Sequence, residues 1–314
     1  MNTAKDIAAK FNRSGQVMLI TGASSGLGAE TARALALTGA SLILTGRNTA
    51  ALAEVREELK LARGAWCRTF TVDQSDLGGV AALARAVAKV APAIDVMICN
   101  AGVSHTPQDR LPNGLDARCV VNHLSHFLLV NMLQDQLAAR GSRVVMVGSA
   151  GHKGRPVELA DIAWRQRPVD QRMAYGESKS ANMLFAVEAS RRMAGSGIYV
   201  NSVLPGSVMT GLQRHHSPQR LEEMLRLGQL GQAGSVFTSV EEGASTSVWA
   251  ALAPELDQIG GAVLEDCDFA RLAGPNEHPW RGYAAHALDS ETAGQLWNVT
   301  VDLLVELGSE LNRA

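Results

Sequence analysis

Four apolar residues, Val17-Met18-Leu19-Ile20, run straight into Thr21-Gly22-Ala23-Ser24-Ser25-Gly26-Leu27-Gly28. An amphipathic stretch follows from about Ala29 to Leu37 and stops near Gly39. A short continuous apolar run suits a strand buried on both faces of a parallel sheet. Strand, glycine-rich turn and helix in that order open a phosphate-binding unit. The glycines let the backbone turn tightly and approach a pyrophosphate, and the helix N-terminus offers N–H groups and a positive dipole end. The spacing is Gly-x-x-x-Gly-x-Gly rather than the commoner Gly-x-Gly-x-x-Gly. A plain strand-to-helix turn is the alternative.

The alternation continues along the chain. Ser41 to Thr45 reads as a second strand, ending at Gly46-Arg47-Asn48, and Ala50 to Leu61 as a helix. Trp66 to Val72 is strand-like and ends at Asp73-Gln74; Asp76 is placed to cap a helix reaching about Val90. Ile94 to Cys99 forms a fourth strand closing on Asn100-Ala101-Gly102, and Leu115 to Ala139 reads as one long helix. Arg143 to Gly148 is a fifth strand ending at Ser149. The stretch from Ala150 to Met173 is loop with short helical pieces. A helix opening around Ala174-Tyr175 runs to about Met193, and Ile198 to Leu204 is strand six, ending at Pro205-Gly206. Ser207 to Gly234 is polar and is expected to be a mobile cover. Glu241 to Leu252 is helical, Gly261 to Leu264 a last short strand, Ala270 to Asp289 irregular, and Ser290 to Leu307 a final helix with Ser290 as its cap. The whole predicts α/β architecture. Residues 1–314 form one doubly wound Rossmann-type domain, with about seven parallel strands, helices on both faces and a C-terminal extension from about 265.

With 314 residues, 46% hydrophobic, the chain can build one large core. The formal charge of −2 gives no reason to expect nucleic acid or an anionic membrane as partner. Cys67, Cys99, Cys119 and Cys267 form no Cys-x-x-Cys pair and read as reduced thiols of a cytoplasmic protein. The start of the chain carries Lys5, Asp6, Lys10 and Arg13 and lacks the apolar core of a signal peptide. No apolar run reaches the ~20 residues that span a bilayer.

Chemistry-bearing residues sit at the strand ends. Tyr175 and Lys179 are four apart in the helix that follows strand five, so they share a face. A nearby ammonium favours phenolate and lowers a tyrosine pKa from about 10. The pair is therefore a candidate acid/base for a carbonyl or an alcohol. A solvated lysine beside a half-buried tyrosine gives the same spacing. Asn122 falls among Val120, Val121, Leu124, Phe127 and Leu128, so it is either a structural bond-maker or a site member. His123 and His126 lie near it, but no third ligand at metal-binding spacing appears. After strand two, Gly46 stands where an acid would hold the ribose hydroxyl of NAD, and Arg47 suits a 2′-phosphate. A solvated arginine is the alternative there.

Together these motifs resemble the short-chain dehydrogenase/reductase family, over roughly Val17 to Leu264. The wording of Val121-Asn122-His123-Leu124 and Tyr175-Gly176-Glu177-Ser178-Lys179-Ser180-Ala181-Asn182 is similar to its retinol-dehydrogenase-like branch. So are the long connection from Ser149 to Tyr175 and the Asp161-Ile162-Ala163-Trp164 within it. The resemblance implies a catalytic set of Asn122, Ser149, Tyr175 and Lys179 and no metal. Tyr175 would exchange the proton, Lys179 would lower its pKa and bind the nicotinamide ribose, Ser149 would bond the substrate oxygen, and Asn122 would hold a water. It further implies a cofactor cleft formed by Gly22, Ser24, Ser25, Gly26, Leu27, Gly28, Arg47, Asp73, Gln74, Asn100, Ala101, Gly102, Pro205, Gly206, Val208 and Thr210, with Tyr175 and Lys179 at its nicotinamide end. The expected activity is NADP(H)-dependent hydride transfer between nicotinamide and a small carbonyl or alcohol substrate, with NADP(H) preferred over NAD(H). A homo-oligomer is compatible with this reading. C=C reduction, epimerisation, dehydration and non-catalytic NADP(H) sensing are the alternatives on such a fold.

Overall fold

In the computed structural model, which describes residues 2–228, 237–275 and 278–309, the buried apolar runs pair into one sheet. Its strands are β1 (Val17–Ile20), β2 (Ser41–Gly46), β3 (Cys67–Thr71), β4 (Val96–Cys99), β5 (Ser142–Val147), β6 (Ile198–Leu204), β9 (Val263–Glu265) and β10 (Asp268–Phe269). They lie in the order β10-β9-β6-β5-β4-β1-β2-β3. All pair in parallel except β10, a short antiparallel edge on β9 that the sequence pattern did not predict. A separate parallel pair joins β7 (Ser207–Val208) to β8 (Phe237–Thr238). The chain runs outward from β1 through β2 to β3, then crosses back to place β4 on the other side of β1. That reversal opens a crevice beyond the carboxyl ends of β1 and β4.

Side-chain alternation along the central strands feeds two cores. Leu19, Ile43, Met97 and Val144 turn to one face, where they meet α4 (Leu77–Val90), α5 (Ser125–Met132), α7 (Gln171–Met193) and α11 (Ser290–Glu306). Met18, Ile20, Leu42, Leu44 and Ile98 turn to the other. There they meet α1 (Ala4–Ala8), α2 (Gly26–Ala36), α3 (Thr49–Glu58) and α10 (Ser245–Leu252). Burial on both faces explains why these strands read as continuous apolar runs. The remaining helices are α6 (Gln134–Ala138), α8 (Pro218–Gly228) and α9 (Val240–Gly243).

Several expectations are corrected. The segment read as one helix from Leu115 to Ala139 is broken. Residues Cys119–Leu124 form a π-helical turn, α5 follows, and the chain kinks at Leu133 before α6. Polar side chains take helix carbonyls there: the His126 ring bonds Asn122 O at 3.0 Å, and Ser125 Oγ donates to Val121 O at 2.8 Å. Such bulges concentrate at functional sites, and an all-round apolar segment gives no periodicity that would reveal one. Helix α2 begins at Gly26 rather than Ala29. Asp289, not Ser290, caps α11, its carboxylate accepting the Thr292 N–H at 2.7 Å. Asp76 occupies the cap position of α4 without a side-chain hydrogen bond. The segment expected as a mobile cover carries β7, a 3₁₀ turn at Gly211–Gln213 and α8, while 229–234 lie outside the described residues. At the N-terminus, α1 was not foreseen; Thr3 and Asp6 form its capping box.

Candidate active site

The glycine loop after β1 is shaped by close packing. A β-carbon on Gly28 would sit 2.3 Å from Gly22 O, and one on Gly22 would sit 2.7 Å from Ala101 Cα. Gly22 also holds φ +66°, a left-handed conformation that other residues rarely adopt. Both glycines thus let the loop lie against the Asn100-Ala101-Gly102 turn after β4. Asn100 Nδ2 locks that contact by donating to Thr21 O at 2.9 Å and Gly22 O at 3.2 Å. Ser25, at the cap of α2, makes no side-chain cap bond, so the first N–H groups of this 11-residue helix keep their capacity for a ligand.

Thr21 is the hub that the sequence did not disclose. Its hydroxyl oxygen accepts the N–H groups of Asn100 (2.9 Å) and Ala101 (3.0 Å) and lies 2.9 Å from His126 Nε2. The other nitrogen of that ring donates to Asn122 O. One hydroxyl and one imidazole therefore tie the ends of β1 and β4 to the π-turn. Asn122 is fully buried and spends its side chain on structure: Oδ1 accepts Val103 N–H at 2.8 Å, while Nδ2 donates to Val103 O at 3.0 Å and Ser178 Oγ at 2.9 Å.

Ser149, Tyr175 and Lys179 meet across the cleft. Ser149 Oγ accepts the Gly151 N–H at 3.0 Å, leaving its own proton to donate. Tyr175 is half-buried. Burial pushes its phenol above the usual value, and a hydrogen bond with Ser149 opposes that rise. Lys179 lies 5.9 Å from the tyrosine ring centroid and donates to Val147 O at 2.8 Å. Its pKa is drawn down to about 8 by burial. The expected lowering of the Tyr175 pKa by Lys179 is thus not what this structure carries: the phenol rises, and Ser149 rather than the ammonium moderates it.

These residues line one cleft of about 1530 Å³, larger than the roughly 300–1,000 Å³ of an ordinary ligand site. Every residue expected at the cofactor lines it, as do Ser149, Tyr175 and Lys179; Asn122 stands behind the wall. At the far end Gln74 is 5% exposed, and neither amide atom has a hydrogen-bond partner among the described residues. Such an orphaned amide fits the edge of a base. Arg47 Nη1 lies 4.0 Å from Asp73 Oδ2, both side chains about half exposed. The donors of α2, the Gln74 amide and Lys179 together fit a nicotinamide dinucleotide stretched along the sheet edge.

The stretch after Ser149 contributes a second bridge that the sequence left invisible. His152 is fully buried. Its Nδ1 donates to Ser149 O, and its Nε2 accepts the Ala284 N–H at 3.0 Å. The C-terminal segment is thereby fastened to the backbone of Ser149. The cysteines are inert bystanders: burial raises the thiol pKa of Cys99 and Cys119. Among the described residues no group of three or more His, Cys, Asp or Glu could hold a metal, and no helix is long and apolar enough to cross a membrane.

The short chain dehydrogenase family model matches residues 16–221. A probable oxidoreductase of Streptomyces antibioticus is 39% identical over 92% of this chain and 98% of its own. Retinol dehydrogenase 14 of Mus musculus is 33% identical over 91% of this chain and 85% of its own. Among solved structures, an uncharacterised protein of Mycobacterium paratuberculosis superposes with a TM-score of 0.73 at 28% identity, covering 99% of this chain and 98% of that one. The NADP complex of Pseudomonas aeruginosa RhlG gives 0.64 at 25% identity, covering 81% and 96%.

Proposed function

The chain belongs to the short-chain dehydrogenase family, on its retinol-dehydrogenase-like branch, and we propose that it is an NADP(H)-dependent oxidoreductase acting on a carbonyl or an alcohol. The carrying observation is the meeting of Ser149, Tyr175 and Lys179 in the cleft that also holds the glycine loop. A bound nicotinamide supplies or accepts the hydride. Tyr175 has the proton to give: a phenol of ordinary pKa, about 10, is neutral at physiological pH, and burial pushes it higher still, as reduction of a carbonyl requires. Ser149, with its oxygen fixed by Gly151 N–H, donates its own proton towards the substrate oxygen as negative charge develops there. The Lys179 ammonium is held in place by Val147 O and keeps further donors for a ribose hydroxyl and for Tyr175. Asn122 acts as a positioning residue that fixes Val103 and Ser178 beside them. Its buried side chain supports that role rather than direct contact with substrate.

The test is a panel of aldehydes, ketones and enones incubated with NADPH and the wild-type or Tyr175→Phe protein, with products identified. We expect alcohols from the aldehydes or ketones, and a loss in the variant of roughly 10²–10⁴-fold. Saturation of an enone with its carbonyl intact points instead to C=C reduction. NADPH oxidation by no member of the panel, or near-normal turnover by Tyr175→Phe, sinks the assignment.

A further inference from the structure

The wall of the cleft also carries Arg155, Arg172, Arg214 and Arg220, and among the described residues Asp73 is the one acid that lines it. Arg155 is anchored by Nη1, which donates to Gly151 O at 2.8 Å, yet its buried Nε has no partner among the described residues. Arg220 grips Glu223 through Nη1 at 2.5 Å, and its buried Nε likewise has none among the described residues. These charges feel one another: burial, then Arg172 and Arg220, push the Arg155 guanidinium below its usual value. Among the described residues, the carboxylates near the cluster are already engaged. Asp170 caps α7 through the N–H groups of Arg172 (2.9 Å) and Met173 (3.0 Å). Glu223 is shared between Arg220 and, at 3.9 Å, Arg172.

Like charges gathered on a low-dielectric wall repel, and Glu223 and Asp170 offset only part of the charge of the four guanidinium groups. Unpaired guanidinium donors suit carboxylate and phosphate oxygens, which they bind as a planar fork. The same cleft presents Val121, Leu212, Met224, Leu227 and Trp280 to the body of a ligand. Building on the proposed oxidoreductase activity, we infer that the substrate is an organic anion with an apolar body. Its carboxylate or phosphate is held by Arg155 and Arg220, with Arg172 at the mouth, while its carbonyl or alcohol carbon reaches Tyr175.

Two readouts separate this inference from the activity beneath it. The first is kcat/KM with NADPH for 4-carboxybenzaldehyde against the isosteric, neutral 4-carbamoylbenzaldehyde. We expect the anion to lead by roughly 10- to 100-fold, and Arg220→Gln to erase most of that ratio. Arg155→Lys, which keeps the charge but not the fork, should erase part of it. A general folding fault lowers both substrates and leaves the ratio intact. The second readout needs no turnover: calorimetric binding of benzoate, phenyl phosphate and benzamide to the NADP-saturated protein. Tighter binding of either anion than of benzamide, lost in Arg220→Gln, supports the cluster, and the tighter of the two anions identifies the group it prefers. Equal binding of amide and anions, or anion binding indifferent to both variants, overturns the inference. If NADP itself does not bind, the oxidoreductase reading falls, and the cluster is judged from the same titrations without it.

Discussion

At the scale of single residues, the proposed preference for NADP(H) rests on Gly46 and Arg47. An acid at 46 would repel a 2′-phosphate, and Arg47 adds an attractive contact. Asp73, 4.0 Å from the guanidinium, competes for it, so the preference belongs at the low end of what one charge-assisted contact supplies. We expect NADPH to lead NADH by about 10-fold in kcat/KM, and Arg47→Ala to remove most of that lead while sparing NADH. A wild type that favours NADH, or a variant that loses both cofactors equally, refutes the assignment. Gly46→Asp is the less clean test. Its β-carbon would lie 3.2 Å from Ser24 Oγ and 3.3 Å from Ser24 Cβ, so it disturbs the glycine loop as well as the charge.

At the scale of elements, the π-turn carrying Asn122 is anchored at its start by a fully buried ion pair. Asp116 accepts the N–H groups of Arg118 (2.8 Å) and Cys119 (3.0 Å), and its carboxylate grips the Arg118 guanidinium. The same guanidinium reaches Thr106 Oγ1 at 3.2 Å and Asp109 O at 2.8 Å, holding the loop after β4 against the turn. Removing one partner strands the other charge away from water. Arg118→Met is expected to lower stability by about 3–5 kcal/mol, read as a fall in denaturant midpoint. Adding Asp116→Asn should recover part of it, because the stranded charge is then gone. A single variant as stable as wild type would remove this anchor from the account.

At the scale of the whole molecule, buried histidines bridge elements distant in the chain. His123 bonds Thr300 of α11 at 2.9 Å, His126 bonds Thr21, and His152 joins Ser149 to Ala284. Burial, the leading cause in each, lowers His123 to about 3 and His126 and His152 to about 4. The unfolded chain therefore binds more protons than the fold between pH 4 and 6.5. The stability these three bridges contribute is full above pH 6.5 and is lost as pH falls through that window. Each bridge forfeits about 2 kcal/mol by pH 5. Urea titrations at pH 7, 6 and 5 should show the midpoint falling, and His123→Gln should flatten the slope. A midpoint independent of pH across this range contradicts the prediction.

The sequence alone determined the alternation of the main strands and helices, the glycine loop at the end of the first strand, and the shared face of Tyr175 and Lys179. All of these follow from local periodicity and from residues a few positions apart. Tertiary structure decided the rest. The break at Asn122 could not be read from a segment apolar on every side, because α- and π-helical turns bury such a segment equally well. Thr21 and His126 are 105 positions apart, and His152 meets Ala284 across 132, separations over which no pattern along the chain carries information. The direction of the Tyr175 shift was likewise a matter of surroundings. Spacing offered Lys179 as a neighbour, but the fold set the ammonium on Val147 O, and desolvation raises the phenol against the opposing Ser149 hydrogen bond. Arg155, Arg172, Arg214 and Arg220 fall in an irregular loop and a polar segment whose local pattern says nothing of their meeting. Only the closing of those two segments over one cleft gave them a common wall.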